Sequence, residues 1–286
     1  MNVYGAQGDD TISIAPNGVG EFSQFTVNGN APAGSDTVRF EGTAGIDNFT
    51  YTPAVTSTED GHVVYDLGGG RLINVDFLGF SDVAFIGLGG TDTFLVNEPA
   101  PGPSDAILLL PELGNNGTFT YTVQNFGPET AQVFPTVSYN SIETREFNTG
   151  SGSDYFGFFF DNVKGKPEDQ SLIYQPLTPA GGRFEVTSGS TEYRFEGFDG
   201  SVTAFGTPAA DDKVFVLGSN LRDRIAVDGA GLMIHSTNAA NVVLKSLQLQ
   251  GFEALVVDGG SGDDSILVTP GLPATGQPLA IAERGG

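Results

Sequence analysis

The sequence predicts an all-β repeat protein, most simply an elongated β-solenoid or β-helix, with a β-propeller of about five blades as the alternative. Three observations lead there. A glycine-aspartate turn between two apolar strands recurs along the chain, runs of alternating β-branched and aromatic residues fill the space between its copies, and no apolar period of 3.6 residues persists beyond two helical turns.

The copies set the organisation. Phe80–Val96, Ile142–Phe158 and Phe252–Val268 align without a gap, Phe22–Phe40 and Phe198–Val216 fit with small insertions, and Gly5–Ala15 is the end of another copy. Their shared turn aspartates are Asp10, Asp36, Asp92, Asp154, Asp212 and Asp264, and from Asp36 onward they recur at steps of 56, 62, 58 and 52. Steps this regular mark a quasi-one-dimensional chain in which each module leans on its neighbours. The modules fall at 42–97, 98–159, 160–217 and 218–269, with partial ones at 1–16 and 17–41, all in one repetitive domain spanning 1–269. The Pro- and Gly-bearing stretch 270–286 is linker-like.

Within two modules a second turn follows closely on the first, at Gly42–Thr50 with Asp47 and at Gly218–Ala226 with Asp223. Strand patterns then continue, for example His62–Leu67, Leu72–Leu78 and Val242–Gln250, interrupted by Gly68-Gly69-Gly70 or Asn238-Ala239-Ala240. One module therefore holds about five short strands, enough for two rungs of roughly 25–30 residues or for one blade. Unequal strand and turn lengths favour rungs, because stacked rungs bulge their loops outward whereas blades must be nearly equal wedges. About ten rungs at ~4.8 Å each make a rod roughly 50 Å long.

Composition narrows the chemistry. The 286 residues carry 12 Lys+Arg against 35 Asp+Glu, a net charge of -23, which argues against nucleic acid or an anionic membrane as partner. With no Cys and two His, thiolate zinc, thiol nucleophiles and imidazole metal sites have no basis, and the oxygen ligands that remain suit hard cations. No apolar stretch is long enough to span a membrane. Met1–Asp10 lacks the basic and apolar regions of a signal peptide, so an extracellular or cell-surface location requires an export signal outside this segment.

Gly259-Gly260-Ser261-Gly262-Asp263-Asp264-Ser265-Ile266-Leu267 fits the nonapeptide G-G-x-G-x-D-x-U-x in full, where U is a large apolar residue. It resembles the repeat-in-toxin, or hemolysin-type, calcium-binding repeat. Gly5–Ser13, with Asp9 and Asp10, departs only at its second position, Gly42–Thr50 and Gly87–Leu95 have Thr43 and Leu88 there, and Thr149–Gly157 lacks the first glycine. The resemblance implies bound Ca2+, with Asp264, Asp10, Asp47, Asp92 and Asp154 as carboxylate ligands and Asp263, Asp9 and Asp36 as further candidates. In that family the nonapeptides run in unbroken tandem and share ions between stacked turns; here they are solitary, so sites require turns one module apart to stack. Arg222 and Arg224 flanking Asp223 repel a cation there. The alternative is that Gly and Asp serve as turn formers, the carboxylates closing side-chain-to-backbone turns. The wider pattern, G-T-A-G-x-D-N-F-T followed by a hairpin and a second glycine-aspartate turn, is similar to repeats in very large exported proteins of planctomycete-like bacteria, and this likeness covers most of residues 1–270.

Other constellations are weaker. Asn48 and Asn116 begin glycosylation sequons, which arise easily by chance. Phe156, Phe158 and Phe160 are expected in the core, with Phe159 pointing the opposite way on the same strand. His62 and His235 have no second His or Cys nearby. No nucleophile elbow, phosphate loop or H-E-x-x-H occurs. The expectation is a non-enzymatic structural or adhesive extracellular module of a fibre, surface layer or adhesin, stabilised by calcium and associating with itself, with neighbouring modules or with surface glycans. The alternative is a carbohydrate-active β-helix protein, a polysaccharide lyase, hydrolase or sugar binder built on non-local carboxylates.

Overall fold

The computed structural model describes residues 1–16, 22–30, 35–54, 57–68, 70–97, 104–112, 115–124, 132–150, 153–160, 171–186, 191–206, 212–228, 233–252, 254–269 and 280–284. Among them the structure is all-β, with no α-helix. The strands are β1 (Asn2–Tyr4), β2 (Thr11–Ile14), β3 (Gln24–Asn28), β4 (Thr37–Glu41), β5 (Asn48–Pro53), β6 (Gly61–Asp66), β7 (Leu72–Leu78), β8 (Asp82–Ile86), β9 (Thr93–Asn97), β10 (Ser104–Glu112), β11 (Asn116–Gln124), β12 (Gln132–Val133) and β13 (Thr136–Asn140). The second half continues with β14 (Thr144–Asn148), β15 (Tyr155–Phe159), β16 (Ser171–Thr178), β17 (Gly181–Val186), β18 (Thr191–Glu196), β19 (Val202–Phe205), β20 (Lys213–Leu217), β21 (Arg224–Asp228), β22 (Met233–Thr237), β23 (Leu247–Gln250), β24 (Ala254–Asp258), β25 (Ser265–Thr269) and β26 (Ala280–Arg284).

They form two sheets. The first runs β1-β3-β7-β6-β5-β9-β14-β18-β17-β16-β20-β24-β26 and the second β2-β4-β8-β13-β11-β10-β15-β19-β23-β22-β21-β25, with β12 added on β11. The chain repeatedly crosses from one sheet to the other, and strands that cross pair in parallel with their neighbours, as in β4 on β8 or β9 on β14. Between crossings it makes antiparallel meanders: β5-β6-β7 and β16-β17-β18 in the first sheet, β10-β11-β13 and β21-β22-β23 in the second. Each of the modules 42–97, 98–159, 160–217 and 218–269 contains one of these meanders, and they alternate between the sheets.

The alternation of the sequence explains the packing. Along β4, β5, β8 and β9 every second side chain is inward and buried: Val38 and Phe40, Phe49 and Tyr51, Val83 and Phe85, Phe94 and Val96. One apolar cluster extends from Ile14 to Val257. A row of rings runs through it, from Phe40 to Phe85 (5.1 Å), Phe94 (4.4 Å), Phe119 (5.7 Å), Phe147 (5.4 Å), Phe156 (5.6 Å) and Phe195 (5.1 Å). Phe156, Phe158 and Phe160 are buried, whereas Phe159 points outward and stacks on Phe205 with centroids 4.4 Å apart.

Two expectations are revised. Val242–Gln250 holds a strand only over β23, Val243 making an isolated bridge to Thr237, because the chain turns at Asn238–Asn241 before it re-enters the sheet. The stretch 270–286, read as linker-like, contributes β26, which lies parallel on β24 from Ala254↔Ala280 to Asp258↔Arg284; the rest of that stretch lies outside the described residues.

Candidate metal-binding turns

The glycine-aspartate turns sit where the chain crosses between sheets, and their local geometry follows from one contact. The aspartate folds back so that its carboxylate lies over the Cα of the turn's first glycine. A Cβ placed on Gly42 would be 2.8 Å from Asp47 Oδ2, on Gly218 2.9 Å from Asp223 Oδ2 and on Gly259 2.7 Å from Asp264 Oδ2. Any side chain there would expel the carboxylate, which is why glycine stands five positions before each of these aspartates. Further along the turn, Gly260 takes φ +82, with its Cα pressed on the Ser219 carbonyl of the neighbouring turn, so that position also excludes a Cβ.

The carboxylates are then spent on backbone amides. In two turns one oxygen closes the turn itself: Thr43 N–H donates to Asp47 Oδ2 (2.5 Å) and Ser219 N–H to Asp223 Oδ2 (2.5 Å). The Thr43 and Ser219 hydroxyls donate to the same oxygens, at 3.0 and 2.8 Å. Across neighbouring turns the aspartate amide donates to the next carboxylate. Asp10 N–H reaches Asp36 Oδ1 (2.8 Å), Asp47 N–H reaches Asp92 Oδ1 (3.0 Å) and Asp223 N–H reaches Asp264 Oδ1 (2.8 Å). Beyond Asp92 the acceptor is Glu143, which takes Asp92 N–H at 2.7 Å while its other oxygen accepts from Asn115 Nδ2 at 3.0 Å. The carbonyl of each aspartate is used as well, Asp47 O accepting Thr93 N–H at 2.9 Å and Asp223 O accepting Ser265 N–H at 2.9 Å.

The eight candidate ligands therefore occupy different situations. Asp36, Asp47, Asp92 and Asp154 are fully buried, Asp10 and Asp264 are half-buried, and Asp9 and Asp263 are exposed beside them, Asp9 accepting a hydrogen bond from the Ser35 hydroxyl. The main turns of successive modules do not stack. Asp36, Asp154 and Asp264 lead into the second sheet and Asp92 and Asp212 into the first, because a meander plus its flanking strands makes an odd number of crossings per module. Nor do the paired turns inside one module meet: Asp36 and Asp47 flank the two ends of β4, and Asp212 and Asp223 the two ends of β20. The turns that do meet are 26, 45 and 41 residues apart in sequence. Among the described residues no three of His, Cys, Asp or Glu gather as a group able to hold one metal ion.

Burying Asp92 next to Asp47 and Glu143 has an electrostatic cost. Burial first, then the two neighbouring carboxylates, push its pKa up to about 6, against the opposing hydrogen bond from Asp47 N–H. A carboxyl whose folded-state pKa exceeds its unfolded value stabilises the fold fully below the unfolded value, near 3.8, and loses that contribution as pH rises through about 6. The melting temperature should accordingly increase as pH falls from 7 to 5. Asp92→Asn keeps an acceptor for Asp47 N–H, removes the charge and should raise stability at pH 7 by on the order of 1–2 kcal/mol. It should also flatten the pH profile; a melting temperature lowered at pH 7 with an unchanged slope would refute the assignment.

Other polar groups escaped the sequence reading. Tyr65 donates to Glu41 O (3.0 Å) and Asp47 Oδ1 (3.2 Å), tying the turn to the core. Arg145 is fully buried between the rings of Tyr139 and Tyr193, at 4.6 and 5.0 Å from their centroids. Lys245 is buried with its ammonium on the Gly200 carbonyl. The alternating pattern around Arg145, in Thr144–Asn148, does place it inward, and that was the available signal. His62 pairs with Asp76 across β6 and β7 at 2.7 Å and His235 with Ser246 at 2.7 Å, both at exposed or half-exposed positions. Asn48 stands half-exposed at the start of β5, and Asn116 accepts Ser141 N–H through Oδ1.

On the outer face of the second sheet, Leu108 and Leu110 of β10, Tyr155 and Phe159 of β15 and Phe205 of β19 form a partly exposed apolar strip. Tyr155 lies across Gly157, whose added Cβ would come 3.1 Å from the ring. No helix among the described residues is long and apolar enough to cross a membrane. Scans against protein-family models, the curated proteins and the solved structures give no match to the chain.

Proposed function

We propose that this chain is a non-enzymatic structural or adhesive repeat module of an extracellular fibre, surface layer or large adhesin, built as a two-sheet β-solenoid. The observation that carries this reading is the fate of the repeated residues: the glycines and aspartates of the motif serve to join one crossing turn to the next. Parallel pairing of the crossing strands and the single apolar cluster threading both sheets support the solenoid form. Outward positions in the first sheet carry charge, as in Glu192, Arg194 and Glu196 of β18. Such a surface suits contact with other acidic modules through shared cations or with the cell exterior.

A second reading, a glycan-binding module, draws on the outward Tyr155, Phe159 and Phe205 strip, whose rings offer apolar faces near Thr118, Thr120 and Gln248. Sedimentation velocity from 1 to about 200 µM, alongside gel retardation in soluble neutral polysaccharides, separates the two. The structural reading expects concentration-dependent association with no retardation. A monomer at every concentration that is retarded by polysaccharide, with retardation lost in Phe205→Ser, would favour the glycan reading instead.

A further inference from the structure

We infer that the glycine-aspartate turns form metal-free hydrogen-bonded clamps between neighbouring crossings, and that their carboxylates take backbone amides in the place where a calcium-binding repeat would hold an ion. The inference rests on the structural reading of the module and specifies what holds its turns together.

Three features of geometry lead to it. Oxygen-ligated calcium requires six to eight oxygens converging on one point, several of them charged. Here the turns that meet are Asp10 with Asp36, Asp47 with Asp92, and Asp223 with Asp264, and in each pair an N–H lies between the two residues and points at the carboxylate. A lone pair that accepts an amide proton is not available to a cation, and the positive end of that N–H dipole repels one. Where a carboxylate has a second oxygen to offer, it is either taken by Thr43 or Ser219 or pressed against glycine, as Asp264 Oδ2 is against Gly259. A cation would need to displace backbone to enter.

The spacing supports this independently. Stacking of identical turns, which a shared ion requires, is prevented by the odd number of crossings per module. The turn that meets Asp92 on its far side offers Glu143, whose longer side chain reaches Asp92 N–H from outside a glycine turn altogether. An amide clamp tolerates that exchange of Asp for Glu because it needs only one acceptor oxygen at hydrogen-bond distance. An ion cage, with several fixed distances, would not.

The test uses the whole chain. Differential scanning calorimetry in about 5 mM CaCl2 and in excess EGTA, with isothermal titration of CaCl2 into EGTA-stripped protein, reads the two properties directly. The clamp predicts melting temperatures within about 2 °C of each other and no saturable site tighter than about 1 mM. It also predicts that Asp92→Asn, which preserves the acceptor, folds and melts no lower than the parent at pH 7, while Asp92→Ala, which strands the buried Asp47 N–H, melts several degrees lower. Stoichiometric calcium binding that raises the melting temperature by more than about 5 °C and disappears in Asp92→Asn overturns the clamp while leaving the structural reading of the module standing. Conversely, failure to associate at any concentration would remove the self-association in that reading and leave the clamp untouched.

Discussion

Replacing Phe156 by Ala should lower stability by about 3–5 kcal/mol, the range for emptying a well-packed aromatic site. Phe156 is fully buried at the centre of the ring row, with Phe147 at 5.6 Å, Phe195 at 5.1 Å, Phe198 at 5.2 Å and Phe184 at 6.0 Å. These neighbours belong to β14, β17, β18 and the turn after β18, so both sheets lose contacts at once. Rings held by strands on two sheets cannot collapse into the space without moving the sheets together, so the site belongs at the upper end of the range. At about 2–4 °C per kcal/mol for a chain near this size, the melting temperature should fall by roughly 10–15 °C. Phe159→Ala, on the same strand but outward, should cost far less, losing mainly the Phe205 stack. Equal losses in the two variants would mean that the interior at Phe156 is not packed as described.

Gly87→Ala should cost about 2–3 kcal/mol through steric conflict. A Cβ at Gly87 would meet the Ser141 carbonyl and Asp92 Oδ2 well inside the 3.0 Å that real Cβ atoms keep. Neither neighbour can retreat easily: Gly87 N–H donates to Asn140 O at 2.9 Å in the same crossing, and Asp92 Oδ1 is fixed on Asp47 N–H. Slightly further along the turn, Gly89 provides the control, since its added Cβ would approach no atom nearer than 3.9 Å. Gly89→Ala should be neutral or slightly stabilising, by up to about 1 kcal/mol, because it restricts the unfolded chain. Chemical denaturation midpoints of the pair give the comparison, and a Gly87→Ala protein as stable as Gly89→Ala would contradict the close approach.

The contrast between those two glycines shows where the sequence was informative. Alternation along runs such as Thr93–Asn97 and Ala254–Asp258 specified strands and their buried face, because in a two-sided sheet the period of two is the packing itself. The glycine-aspartate spacing located the turns for the same local reason. Which turns meet was not legible. Asp47 and Asp92 lie 45 residues apart, and their pairing depends on how many times the meander β5-β6-β7 keeps the chain in one sheet, a property of strand pairing rather than of residue pattern. Nor could Glu143 be recognised as a partner of Asp92, since it stands outside any glycine motif and its role comes only from stacking. The likeness of Gly259–Leu267 to a calcium repeat rests on turn shape, and that shape serves an amide as readily as an ion.

The alternation of meanders between sheets makes the module a unit with handed parity. Duplicating a single module would send everything downstream to the opposite flank: surfaces that had faced one side of the molecule would face the other, and the outward Tyr155, Phe159 and Phe205 strip would change sides. Duplicating two would restore every residue to its original side. A lineage that lengthens such a chain while preserving a one-sided binding surface is therefore constrained to add modules in pairs, and odd-numbered insertions should be found only where the two flanks are functionally equivalent.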